Sequence, residues 1–232
     1  MKTTITAMLF GLILLGLTTV SARAIDKADL DNRIRLLTGK FEALEQKADK
    51  KIPAELLAKA QGIILMDRTK AGFVFAYQGG GGLAMVKNPK TKLWSPVAFM
   101  SANEGSLGFQ IGGEQTFFAI LLMDTNATRI LTEPTFELGG EARGTAGDQT
   151  GVAEGVVPSG QPPVLVFSDR KGLYGGASLK AGAISPDERA NITYYGQAAT
   201  VADILFGDKV KPSEAAQELA AKLNELAGKK GK

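Results

Sequence analysis

Two hydrophobic periods divide the chain. From residue 26 to 51, Leu30, Ile34, Leu37, Phe41, Leu44 and Ala48 return every three or four positions. That spacing lines one face of an α-helix. Arg33, Arg35, Lys40, Glu42, Glu45, Lys47, Lys50 and Lys51 fill the opposite face, and Gly39 interrupts the pattern. Beyond Gly62 the apolar residues come instead in strand-length runs at 63–66, 73–77, 83–86 and 117–123. Glycines at 72, 79–82, 105, 108, 112 and 113 separate them. Short runs divided by glycine predict an α+β domain built on a curved antiparallel β-sheet or small barrel with flanking helices. The missing Cβ atoms allow a bulge or a close backbone approach.

Local punctuation predicts the remaining elements. Pro53 suits the first turn of a short helix over 53–60. Asn88-Pro89 and Asn103-Glu104-Gly105 read as turns between strands. Asp124 or Thr125 caps a short helix that ends before Pro134. Residues 139–160 are rich in glycine and poor in large apolar side chains, which predicts a loop or a weakly twisted hairpin. A strand over 164–167 precedes a turn at 169–172. Short helices over 187–195 and 200–206 are separated by Gly196 and stopped by Gly207. Ser213 caps a last helix bearing Ala216, Leu219, Ala220, Leu223 and Leu226 on one side. No linker divides the chain, so 25–232 is expected to form one domain.

The first 24 residues stand apart. Lys2, the apolar stretch 8–17 and Ala22-Arg23-Ala24 form the pattern of a cleavable signal peptide, with Ile25 as the expected mature N-terminus. A periplasmic or secreted location follows as an expectation. Lys2 and Arg23 lie in this leader, so the net charge of +3 falls close to neutral beyond it. Such a balance predicts no nucleic-acid partner. The chain has no cysteine, hence no disulfide-linked partner, and no histidine. Imidazole-based triads, histidine-bearing zinc sites and thiolate zinc sites are thereby excluded. No catalytic residue, cofactor or metal is expected.

The candidate chemistry is therefore basic and apolar. Gly79–Gly82 is followed by a strand rather than a helix and lacks the Lys-Ser/Thr of a phosphate loop, so it reads as a sharp turn or bulge. Lys87, Lys90 and Lys92 surround the Asn88-Pro89 turn beside Trp94; amines beside an indole suit a membrane interface, although the ring itself is expected in the core. Glu133, Glu137 and Glu141 read as a solvated face. The helix over 26–51 permits two readings: a stripe packed on the domain, or a membrane-binding amphipathic helix. Its nearly balanced charges favour packing.

One succession of residues carries further information. Ile52-Pro53, Leu56-Leu57, Gly62-Ile63, Gly72-Phe73, Gly79–Gly82, Trp94-Ser95-Pro96 and the Gly105, Gly108, Gln110, Gly112 series resemble the SYLF lipid-binding family. Tyr174 to Ser178, Asn191 to Gly196 and Ile204-Leu205 with Gly207 extend the resemblance over most of the chain. It implies binding of an anionic phospholipid surface, with membrane contact through the N-terminal helix and basic loops. On that basis Arg33, Arg35, Lys40, Phe41, Lys47, Lys50, Lys51, Lys87, Lys90 and Lys92 are the expected lipid contacts, Phe41 being partly exposed. Some eukaryotic members also bind actin, an activity not expected of an exported protein. A protein-binding role in the envelope is the alternative.

Overall fold

A computed structural model describes residues 25–72, 76–106, 112–137, 143–146, 149–152, 164–169, 172–173, 183–207 and 209–228. The leader, Glu141 and the Tyr174 to Ser178 motif lie outside the described residues. The strands are β1 (Gly62–Gly72), β2 (Ala76–Val86), β3 (Ala98–Ser106), β4 (Gly112–Leu122), β5 (Phe136–Glu137), β6 (Arg143–Ala146), β7 (Gln149–Val152), β8 (Val164–Ser168), β9 (Gly172–Leu173) and β10 (Ala183–Pro186). The helices are α1 (Lys27–Glu45), α2 (Ala54–Lys59), α3 (Thr125–Arg129), α4 (Glu188–Tyr195), α5 (Val201–Leu205) and α6 (Glu214–Ala227); one 3-10 turn, Ile130–Thr132, follows α3.

Eight strands form one open antiparallel sheet in the order β5-β10-β3-β2-β1-β4-β8-β9. β6 and β7 pair separately as a hairpin, the second of the two forms expected for that glycine-rich stretch. The sheet is covered on both sides. Ile63, Leu65, Leu83, Met85, Phe117 and Leu121 point toward α1, α2, α4 and α6. Ile64, Met66, Ala84, Val86, Ile120 and Leu122 point toward α3, the 3-10 turn and α5. Burial on both faces explains why these strands carry continuous apolar runs instead of alternating ones.

Three expectations are corrected. Gly79–Gly82 forms neither a turn nor a bulge: it lies inside β2, in unbroken register with Thr69 to Met66 on β1 and Asn103 to Met100 on β3. The reason is steric. A Cβ on Gly80 would stand 2.3 Å from the Asp67 carbonyl oxygen, and one on Gly82 would stand 2.7 Å from that of Leu65. Residues 103–105 likewise continue β3 without turning. The first helix stops at Glu45, capped by Gln46, six residues short of the predicted end, and Ala48 is exposed.

Local capping accounts for α3, α4, α5 and α6. Asp124, Asp187, Thr200 and Ser213 each accept a hydrogen bond from the amide three residues on, filling one of the orphan donors of a helix start. Gly196 ends α4 at φ 66°, a left-handed conformation that glycine adopts without a steric penalty.

Candidate functional site

The 87–96 connection is built by its own side chains. Asn88 Oδ1 accepts from the amides of Lys90 at 2.9 Å and Thr91 at 3.1 Å, closing a tight turn. An isolated bridge joins Lys87 to Trp94. Ser95 Oγ accepts from the Val86 amide at 3.0 Å and donates to the Pro96 carbonyl at 2.8 Å. Trp94 turns inward, 8% exposed, and its Nε1 donates to Asn224 Oδ1 at 3.2 Å. Its neighbour Leu93 is left outward and 67% exposed.

Between this connection, α3 with the 3-10 turn, and the segment after α5 lies a cleft of about 620 Å³. That falls within the roughly 300–1,000 Å³ range of small-molecule sites. Trp94, Leu93, Phe206, Val210 and Pro212 supply its apolar lining. Phe206 is 51% exposed, so two large apolar side chains at the cleft meet solvent. Lys87 and Arg129 are its cations, and no carboxylate is among the described residues that line it. The Lys87 amine donates to the Ala58 carbonyl at 3.0 Å and sits 4.9 Å from the Trp94 ring centroid. Burial, followed by repulsion from Lys92, holds that amine below the usual lysine range.

Comparison with known proteins places this geometry in a family. The Ysc84 family, described as "Las17-binding protein actin regulator", matches residues 103–226, more than half of the chain. The chain belongs to the Ysc84, or SYLF, family. Its similarity to the SH3 domain-containing YSC84-like protein 1 of Homo sapiens is 32% identity over 169 residues, 72% of this chain and 49% of that protein. LAS seventeen-binding protein 3 of Saccharomyces cerevisiae is 33% identical over 177 residues, 74% of this chain and 38% of that protein. Protein YSC84 of the same yeast is 35% identical over 177 residues, covering 74% and 37% respectively. This SYLF chain thus spans half or less of the length of these relatives. No solved structure matches it. The family resemblance read from the glycine and Trp-Ser-Pro motifs is confirmed.

Within the SYLF domain the expected contact residues separate into different settings. Phe41 corrects the sequence reading: it is 0% exposed, because the α1 stripe of Leu30, Ile34, Leu37, Phe41 and Leu44 packs into the core on the sheet. Arg33 pairs with Asp187 at 3.1 Å and lies over the Phe99 ring. Arg35 pairs with Glu218 at 3.4 Å, and Lys40 with Asp67 at 2.5 Å. Those three charges are answered inside the protein. Lys47 and Lys50 donate to the Asp169 carbonyl at 3.4 and 3.1 Å, and Lys47 and Asp169 both line a hollow of about 130 Å³. Lys51, Lys90 and Lys92 are exposed.

The structure therefore does not gather the ten positions into one patch. Lys87, with Lys90 and Lys92 on the same connection, borders the cleft that no carboxylate lines among the described residues. Sequence reasoning missed Leu93, Arg129 and Phe206. Leu93 had a signal, since the neighbour of an inward Trp94 on an extended segment points outward. Arg129 and Phe206 had none, because only tertiary packing brings α3 and the end of α5 to the connection. Among the described residues no carboxylate group could hold a metal ion, and no helix is long and apolar enough to cross a membrane.

Proposed function

We propose that this protein is a non-enzymatic, peripheral binder of anionic phospholipid surfaces, acting in the bacterial envelope after loss of residues 1–24. The observation that carries the reading is the pairing of exposed Leu93 and Phe206 with the cations Lys87 and Arg129 at one cleft that no carboxylate lines among the described residues, with exposed Lys90 and Lys92 on the same connection as Lys87. Shallow insertion buries the two apolar side chains, at about 1.5–3 kcal/mol for each one fully buried. Lysine and arginine near an anionic surface add about 1 kcal/mol each. Lys47, Lys50 and Lys51 contribute longer-range attraction from the C-terminal end of α1.

Cosedimentation with vesicles tests this. Binding is expected to phosphatidylglycerol-containing vesicles, weakly to pure phosphatidylcholine, and to fall with added salt as the Debye length shrinks from about 10 Å at 0.1 M to about 3 Å at 1 M. Leu93→Asp should abolish it while leaving the fold intact. Unchanged vesicle binding by that variant would sink the reading. The family description, Las17-binding protein actin regulator, supports a second reading in which the domain binds a protein. Absence of binding to every vesicle tested would favour it.

A further inference from the structure

The cleft, which no carboxylate lines among the described residues, is more specific than surface attraction requires. A membrane held only by diffuse charge needs exposed lysines; it does not need a concavity with cations in separate walls. Lys87 stands in the wall formed by the 87–96 connection and Arg129 in the wall formed by α3. The Arg129 guanidinium is exposed and has no ion-pair or hydrogen-bond partner among the described residues. Lys87 has a carbonyl and an indole face beside it, but no carboxylate among the described residues. The other basic corner differs: Lys40 of α1 is paired with the Asp67 carboxylate. In the cleft no carboxylate among the described residues answers Lys87 or Arg129 in this way.

We propose that the cleft seats a single phospholipid headgroup, its phosphate ester held between Lys87 and Arg129. The glycerol and the start of the acyl chains leave past Leu93 and Phe206. The assignment rests on the lipid-surface reading and adds a stoichiometric site to it. Charge complementarity selects the phosphate. A guanidinium presents paired N–H donors that match phosphate oxygens, while the ammonium acts as a point charge. The apolar lining at the mouth selects a phosphate that carries hydrocarbon. An anion at this position would also relieve the repulsion between Lys87 and Lys92.

Trp94 lines the cleft and is the chain's one tryptophan, so its emission reports on the cleft wall without interference from another indole. The experiment titrates the protein, by calorimetry and Trp94 fluorescence, with dihexanoyl phosphatidylglycerol below its micelle concentration. Dihexanoyl phosphatidylcholine and sn-glycerol 1-phosphate are the comparison ligands. Expected are saturable one-to-one binding of the anionic lipid with a change in Trp94 emission, and at least tenfold weaker binding of the other two. Arg129→Gln should weaken the anionic lipid by about tenfold without changing the melting temperature. Lys87→Gln should do the same, and Arg129→Gln decides if Lys87→Gln proves unstable. Calorimetric binding that leaves Trp94 unchanged, no saturable binding at all, or an Arg129→Gln protein that binds normally would each overturn the proposal. Equal affinity for glycerol phosphate would overturn the lipid assignment. The vesicle reading fails separately: monomer binding without vesicle binding sinks it alone, whereas vesicle binding without monomer binding sinks the cleft alone.

Discussion

Truncating Phe41 to alanine is the sharpest test of how α1 is used. The side chain is 0% exposed and lies between Leu37 and Leu44, one helical turn to either side, in the core that α1 shares with β1, β2, β4 and α6. Removing a fully buried benzyl group costs its transfer free energy and leaves a cavity, together about 3–5 kcal/mol. Against a total stability of about 5–15 kcal/mol this is a large fraction. A domain of this size loses about 2–4 °C per kcal/mol, so the melting temperature should fall by about 6–20 °C. Leu36→Ala provides the internal control. Leu36 neighbours Leu37 on the same helix but is 58% exposed, and its truncation should stay within about 0.5 kcal/mol. Scanning calorimetry with urea denaturation measures both. Below the transition, the remaining folded Phe41→Ala protein should bind vesicles normally. A Phe41→Ala protein with stability changed by less than about 1 kcal/mol and with vesicle binding lost would show instead that α1 leaves the sheet to meet the membrane.

Other outcomes follow from single positions. Gly80→Ala should destabilise far more than Gly81→Ala, measured by urea midpoint. The new methyl at 80 meets the Asp67 carbonyl, whereas the nearest atom at 81 is the Arg33 guanidinium carbon at 3.5 Å. Asn191→Ala should cost about 1–3 kcal/mol for each group left unpaired, because buried Asn191 binds both the amide and the carbonyl of Phe99. Burial, reinforced by the hydrogen bond to Asp31, pushes the Tyr194 hydroxyl up to about 12. An unfolded tyrosine ionises near 10, so between those values the unfolded state holds fewer protons and stability falls as pH rises. Absorbance at 295 nm should show Tyr194 and Tyr195 both ionising late, since burial raises the Tyr195 hydroxyl as well, and Tyr194→Phe should remove only the Tyr194 share of that late component. Replacing exposed Lys51 with glutamate should weaken anionic-vesicle binding while preserving thermal stability, since it lies beyond the last residue of α1, whereas the same change at Lys47 and Lys50 also removes their hydrogen bonds to the Asp169 carbonyl.

Local chemistry was readable and tertiary proximity was not. Asp124, Asp187, Thr200 and Ser213 announce helix starts because a cap acts within three residues of itself. The continuous runs at 63–66 and 83–86 pointed to strands, and the covering of both faces explains their composition. The glycines of β2 misled because glycine serves both turns and close approach, and only the position of the facing Asp67 and Leu65 carbonyls distinguishes the two. The α1 stripe could not separate membrane from core, since either partner rewards the same period. The cleft was invisible for a different reason. Its walls come from segments up to about 120 residues apart, and neither Arg129 nor Phe206 belongs to any local motif.

The contact between the first and last helices has a consequence for how the chain comes apart. α6 lies against α1 and α2. Ion pairs Arg35–Glu218 at 3.4 Å and Lys222–Glu42 at 3.1 Å tie the two ends, and Trp94 reaches Asn224. Nascent α1 therefore has no partner for this flank until α6 is made, whereas β1, β2 and β4 reach the rest of its stripe earlier. In the finished protein a protease that clips before Ser213 removes Leu219, Leu223 and Leu226 from the shared core. Damage at the tail is then felt at the head, and α1 becomes the next segment to open.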